Sequence, residues 1–397
     1  MAQTIGTRNS FTLALAGCAA LWFVAASPSA SVQAPDNPGV STARILVGVE
    51  DATGSFSVDE ENLGMRLVVA EVNSRGGIHG RILETRGYSR GPAIEDSMVN
   101  VRREVEEDGV FLIFNHGGPA SVGLAEYAMS RRVPYLFPHT ALITTAADRY
   151  VFTSYPRYDT ETAIMLRYLA GPLKMRRLGL IYADNPYGQY FLERVNALAV
   201  TLGYTVAGAQ PLVDRKPLDV RGLVEPLRRA GADAVILALY PEQAQRVMET
   251  KARIGWRDVR MVASGPLTDE QYLNVEGGAS EGTIGFCHYP DPQEDRSPGV
   301  LEYRRLMSKH FPGRAVNRYS LYGYVFGSLV VEGLTRAGRD LTRERFIDAM
   351  ETIDRWDSRG ILPPVSFSRS NHHAQQAGFV CELKAGRFQP LTSWVTP

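Results

Sequence analysis

Residues 45–84, ILVGVEDATGSFSVDEENLGMRLVVAEVNSRGGIHGRILE, constrain the fold more than any other stretch of the chain. An apolar run from Ile45 to Val49 ends in the polar turn Thr53-Gly54-Ser55, after which Leu63, Leu67, Val68 and Ala70 to Val72 recur at helical spacing. Gly76-Gly77 breaks the helix, and Arg81 to Thr85 reads as a second strand. Strand, helix and strand in this order make a β-α-β unit, and such units build parallel sheets. In open parallel sheets ligands bind beyond the carboxyl ends of the strands. Thr53 and Ser55 therefore fall at the rim of a candidate site.

The same rhythm continues along the chain. GVFLIF (109–114), VPYLFP (133–138), RLGLIYAD (177–184) and AVILALY (234–240) read as buried strands, and helical segments such as SVGLAEYAMSRR and GQYFLERVNALAVTLG lie between them. This pattern predicts an α/β protein with parallel sheets, in two blocks, 45–150 and 153–286. The remainder, two helices and the β-like AGFVCELKAGRFQPL, divides best between the blocks. Lobe 1 is then 44–154 plus 288–355 and lobe 2 is 155–287 plus 356–397, so the chain crosses three times between two Rossmann-like lobes. Such a joint can close like a hinge.

A chain of 397 residues with 44% hydrophobic content can build two cores of ordinary size. Its 43 basic and 43 acidic residues balance, which argues against nucleic acid or an anionic membrane surface as a partner. At the N-terminus Arg8, an apolar run from Phe11 to Ala26, and SPSASVQAPDNPG read as a secretory signal over residues 1–34, the run being too short for a membrane span. Leu15-Ala16-Gly17-Cys18 also resembles a lipobox, but the apolar run continues to Val24, so cleavage between Ala26 and Ala34 is the preferred reading. Cys287 and Cys381 would remain after cleavage. Export permits a disulfide between them, although two buried small apolar side chains is the simpler reading.

The segments TGSFS, EVNSRGGIHGRILE, FNHGGPASVGLA, VPYLFPHTALITTAADRYVFTSYPRYDTE, LIYADNPYGQYFLE, GADAVILALYPEQAQRVMETKARIG and SEGTIGFCHYPDP, in this order, resemble type I periplasmic solute-binding proteins of ABC importers, in the leucine/isoleucine/valine branch. The resemblance covers residues 44–397 and implies two α/β lobes that hold a small-molecule ligand between them. It also implies a periplasmic monomer that serves a membrane transporter, an ABC permease, without a cofactor or metal. A sensory ligand-binding module would have the same fold.

Candidate ligand residues follow from both sources. Gly117-Gly118-Pro119-Ala120-Ser121 links a strand to a helix, with a proline suited to the first turn and glycines that let the backbone approach a ligand. The free N–H groups of such a helix start attract an electronegative group. The resemblance makes this turn, with Asn115, Gly117 and Ser121, a polar anchor on the first lobe, together with His139 and Thr140 in the next turn. From the second lobe it implies Tyr187 and Tyr240 as covering aromatics, whose rings can pack a ligand and keep one hydrogen bond.

One departure matters more than these matches. Leu267 stands where amino-acid binders of this branch carry an acidic residue for the ligand's ammonium, unless Asp269 or Glu270 takes that place. A buried ammonium without a countercharge is costly. The expected ligand is accordingly a carboxylate, an amide or another weakly polar compound, with a branched-chain amino acid or a lipid-like, for example sterol-like, cargo as alternatives. Catalysis is not expected, because no nucleophile elbow, Walker loop, GxGxxG after a strand or HExxH occurs. His372-His373 reads as part of an exposed loop, and the acidic runs Asp59-Glu60-Glu61 and Glu104 to Asp108 as solvated helix faces.

Overall fold

The computed structural model describes residues 37–51, 53–90, 94–143, 148–213, 219–269 and 275–396. The expected signal, Cys18 and Glu270 lie outside these residues. The first sheet is wholly parallel, in the order β2-β1-β3-β4-β5, from β1 (Arg44–Val49), β2 (Ile82–Arg86), β3 (Leu112–Phe114), β4 (Tyr135–Leu136) and β5 (Val151–Phe152). Helices α1 (Phe56–Ser74), α2 (Ile94–Glu106) and α3 (Ser121–Arg131) connect its strands. β1 is buried from Ile45 to Val49 and β3 throughout, because helices cover both faces of the sheet.

The chain then passes to α4 (Tyr158–Ala170) and a second sheet of β6 (Arg177–Ala183), β7 (Thr205–Leu212), β8 (Ala234–Ala238), β9 (Arg260–Ala263) and β10 (Ile284–Cys287). Its connecting helices include α5 (Pro186–Thr201), α6 (Arg221–Arg229) and α7 (Pro241–Arg253). The sheet order is β12-β11-β10-β9-β8-β6-β7, and the hairpin β11 (Phe379–Lys384) and β12 (Arg387–Pro390) adds an antiparallel edge to an otherwise parallel sheet. Between β10 and β11 come α8 (Pro298–His310), α9 (Arg318–Ala337) and α10 (Arg343–Glu351). These return to the first sheet: Phe346 of α10 meets Phe111 edge-on at 5.7 Å, and Lys309 of α8 pairs with Glu71 of α1 at 2.7 Å.

The closest helix contact is between α1 and α9. A Cβ on Gly64 would stand 2.2 Å from the Ser320 carbonyl, and one on Gly323 would stand 1.8 Å from the Glu61 carbonyl. The two backbones touch because neither residue has a side chain. This crossing overturns the reading of Asp59-Glu60-Glu61 as a solvated face: Glu60 and Glu61 are buried, and Asn317 donates to Glu60 at 2.7 Å. Glu104 is likewise fully buried, paired with His116 at 2.9 Å, so the second acidic run is only partly a surface feature.

The three connecting segments hold one another. Thr153 donates its N–H to the His372 carbonyl at 2.9 Å, Ala374 donates to the Thr153 carbonyl at 2.9 Å, and the Gln375 amide donates to the His288 carbonyl at 3.0 Å. His372 and His373 are therefore buried rather than exposed, as lying beside β5 requires; the His372 ring stacks on Phe152 at 3.9 Å. The cysteine reading is also corrected, because Cys287 and Cys381 form a disulfide. They sit on neighbouring strands, β10 and β11, which antiparallel pairing brings together across 94 residues.

Candidate functional site

The carboxyl ends of the first sheet form one wall. Asn115, just after β3, is fully buried with a left-handed φ of 53°, which Asn tolerates better than most residues. Its amide donates to the Asn62 side chain at 3.0 Å, and Asn62 in turn donates to the Glu50 carbonyl at 2.9 Å. Gly117 adopts φ 106° and its N–H faces Glu50 Oε2 at 3.4 Å, while the Ser121 hydroxyl donates to the Gly118 carbonyl at 2.7 Å. Thr53 is buried, its hydroxyl bonded to Asp59 at 2.9 Å and accepting the Ser55 N–H at 3.1 Å. Thr53 and Ser121 thus spend their hydroxyls on shaping turns, and Ser55 packs its hydroxyl 3.1 Å from that of Ser57.

His139 is the hub of this wall. Its Nδ1 lies 2.8 Å from Glu61, its Nε2 lies 3.2 Å from the Ser57 hydroxyl, and Tyr155 donates to Glu61 at 2.5 Å. Glu61 is completely buried, so these partners are what make its burial tolerable. Behind it Glu50, Glu104 and His116 form a second buried group: burial opposes protonation of His116, but Glu104 and Glu50 outweigh it and push the imidazole up to about 9.

The second wall is aromatic. Tyr187 packs against Tyr158 at 5.3 Å and Tyr240 at 5.8 Å, and Phe191 closes the group. Two of the hydroxyls have side-chain partners: Tyr187 with Ser264 at 2.7 Å, and Tyr240 as acceptor from Asn185 at 3.0 Å. Tyr319 of α9 bridges the two walls by donating to the Pro266 carbonyl at 2.9 Å. Tyr240 is 39% exposed and stands at the mouth.

Leu267 is fully buried in the core, inside the short 3₁₀ turn Gly265–Leu267. The turn does not lack an acidic neighbour. Glu161 reaches it from α4 and accepts the Gly265 N–H at 2.8 Å. Burial pushes Glu161 up to about 8, with the Gly265 N–H working in the opposite direction. Sequence reasoning passed over Glu161, Glu61, Tyr155 and Tyr158, although the segment TSYPRYDTE holds three of the four. A surface depression of about 330 Å³ lined by Lys251, Arg257 and Arg260 lies at the amino end of β9, opposite the carboxyl ends that carry the candidate residues.

A family model described as periplasmic binding protein matches residues 47–387. The chain is 23% identical to a Leu/Ile/Val-binding protein homolog 8 of Brucella melitensis over 346 residues, which is 81% of this chain and 83% of the relative. Among solved structures, a branched chain amino acid ABC transporter protein of Thermus thermophilus with bound valine superposes with a TM-score of 0.79 at 18% identity, covering 90% of this chain and 98% of that one. A fatty acid ABC transporter substrate-binding protein of Thermomonospora curvata does so with a TM-score of 0.80 at 22% identity, covering 91% and 94%. At such identities the structural likeness is one of fold.

Proposed function

The chain belongs to the periplasmic binding protein family, and from that premise we propose that it is an exported solute receptor which traps a small molecule between its lobes and presents it to an ABC-type permease. The working bodies are 44–154 plus 288–355 and 155–287 plus 356–397. Residues 1–34 direct export to the periplasm, and the protein acts as a monomer. Family and fold are those of binding proteins rather than enzymes.

The observation that carries this reading is the pair of unlike walls bridged by the Tyr319 hydroxyl and the Pro266 carbonyl. A ligand that touches both walls favours the closed form over the open one, and that difference in affinity is what drives closure. Thr53, Ser55, Asn115, Gly117, Ser121, His139 and Thr140 build the first wall. Asn115, Thr53 and Ser121 serve it by fixing the turns, so His139, Ser55 and Thr140 are the ligand contacts proposed there. Tyr187 and Tyr240 cover the ligand from the second lobe, and Leu267 supports their wall from beneath. The similar structures bracket the ligand class: one holds valine and another is a fatty acid transporter's substrate-binding protein.

The test is native mass spectrometry of the purified protein with extraction of any co-purifying compound, followed by calorimetric titration of that compound. Tyr187→Ala should weaken its binding by about 1–3 kcal/mol, the range of a buried aromatic anchor. Unchanged affinity would remove the cleft from consideration.

A further inference from the structure

We infer a second ligand site at the amino ends of the second sheet, where Lys251, Arg257 and Arg260 bind an organic phosphate monoester. The parallel strands β6, β9 and β10 all begin at this end. The depression of about 330 Å³ lies among them, lined by Met175 ahead of β6, Lys251 in the last turn of α7, residues 257–261 leading into β9, and residues 281–283 leading into β10. Its volume falls at the small end of ligand pockets, which span about 300–1,000 Å³. It is on the opposite edge of the sheet from the cleft residues, so it is separate from interlobe capture.

The acids around the depression do not cancel the bases. Glu281 spends both oxygens on the turn between β11 and β12, accepting the Ala385 N–H at 2.9 Å and the Gly386 N–H at 2.8 Å. Asp258 is exposed, and among the described residues neither it nor Lys251 nor Arg257 forms an ion pair. Arg260 donates to the Gly282 carbonyl at 2.8 Å and to Glu382 at 3.2 Å, both through Nη1. Those bonds fix the guanidinium beside the depression and leave its Nε and Nη2 donors for a guest.

Lys251 supplies an independent observation. It is half-buried, and burial together with the charge of Arg260 holds its ammonium below the usual range. No acid is among the groups that act on it. A partly desolvated cation beside a second cation is costly in the free protein, and an anion seated between them offsets both effects.

The cation set says what sort of anion fits. Arginine presents paired N–H groups that match phosphate oxygens, and lysine adds a compact point charge. Lys251 and Arg257 carry two uncommitted positive charges, and a phosphate monoester carries about −1.5 to −2 at neutral pH. The end of α7 does not oppose an anion, because its last carbonyls are already occupied: Thr250 accepts from Ile254 at 3.0 Å, Ala252 from Gly255 at 3.0 Å, and Lys251 from Trp256 at 3.1 Å. The depression holds more than a phosphate group, since a water occupies only about 30 Å³. An organic body therefore has room along Met175, Val259 and Met261. With 43 basic and 43 acidic residues, the chain has no general attraction to an anionic bilayer, so the phosphate comes from a soluble ester rather than a lipid headgroup.

The experiment is calorimetric titration of the purified protein with phenyl phosphate, inorganic phosphate and phenol, each at low and at high salt. The same titrations are made on Lys251→Met, Lys251→Arg and the double variant Lys251→Met/Arg257→Gln, with urea midpoints as a check on folding. The expected result is one site that takes phenyl phosphate more tightly than inorganic phosphate, weakens with salt and ignores phenol. Lys251→Met should lose about tenfold or more, the scale of one hydrogen bond to a charged group. Lys251→Arg should keep most of the affinity, and the double variant should show none. No binding of phenyl phosphate by the wild type, or equal binding by the double variant, overturns the site. A loss in Lys251→Arg as large as in Lys251→Met also overturns it, since packing rather than charge would then be at work. Phenyl phosphate bound no more tightly than inorganic phosphate overturns the organic guest and leaves an adventitious anion patch only. Flotation with phosphatidic acid vesicles, set against phosphatidylcholine vesicles, covers the other source: capture by the former without binding of phenyl phosphate overturns the soluble ester.

Discussion

Glu61 and Glu161 are both carboxylates withdrawn from solvent, one on each wall of the cleft, and their surroundings differ in kind. Glu61 is met by His139 at 2.8 Å and by the Tyr155 hydroxyl at 2.5 Å. Glu161 is met by one backbone N–H at 2.8 Å. A buried carboxylate with several internal partners is held by the protein's own structure, whereas one with a single donor is the costlier of the two to ionise. On the first wall the carboxylate has two side-chain partners, and on the second it has one backbone donor.

The largest effect should come from breaking the completed side. Glu61→Ala strands His139 and Tyr155 and loosens the α1–α9 crossing, and we expect a loss of about 3–5 kcal/mol in urea unfolding. A loss below about 1 kcal/mol would mean that Glu61 is no more structural than Glu161, and the contrast would collapse. Next comes the disulfide. Cys287–Cys381 lies under the second wall: a Cβ on Gly285 would stand 2.6 Å from Thr268 Cγ2 and 3.2 Å from Cys381 Sγ. Reduction, or the double change to Ala, should cost about 2–4 kcal/mol of stability. If ligand affinity falls more than stability does, the second wall depends on this brace for its shape.

The β-α-β rhythm was legible because burial of parallel strands writes continuous apolar runs at strand length, and the class and both sheets follow from it. What stayed hidden depends on contacts between distant residues. Glu60 and Glu61 look like a charged helix face until Gly64 and Gly323 let α9 lie over them. The disulfide needs the chain to return after 94 residues and pair antiparallel with β10. His372 and His373 look like loop residues until the segment lies along β5. Glu161 sits where acids ordinarily compensate a helix dipole, so nothing local marks it. Its burial arises from the Gly265 turn, 104 residues later.

The pH dependence separates the two carboxylates without any ligand. Burial pushes Glu161 from the ordinary 4.5 up to about 8 in the folded protein. The unfolded chain gives up that proton near 4.5, while the folded chain holds it to about 8. Folding stability therefore falls as pH rises through this window, at up to about 1.4 kcal/mol per unit. His116 adds a slope of the same sign between 6.5 and about 9, because its raised value also keeps a proton that the unfolded chain loses. Glu161→Gln removes only the first contribution. The difference between wild type and variant, read from urea midpoints at pH 5, 6.5 and 8, should grow with pH in favour of the variant. A constant difference would show that Glu161 is ionised throughout and has a partner.

The smallest expected effect tests whether the second wall works through ring surface or through hydroxyls. Tyr187→Phe removes the 2.7 Å contact with Ser264, whose own hydroxyl is fully buried, and should cost about 1 kcal/mol of stability. Because that hydroxyl is spent inside the protein, affinity for the ligand should change by no more than about threefold, an energy below 1 kcal/mol. Tyr187→Ala removes the ring as well and should do far more damage to binding. If the two substitutions weaken binding equally, the hydroxyl is the contact, Tyr187 must release Ser264 on closure, and the second wall is then a hydrogen-bonding surface like the first.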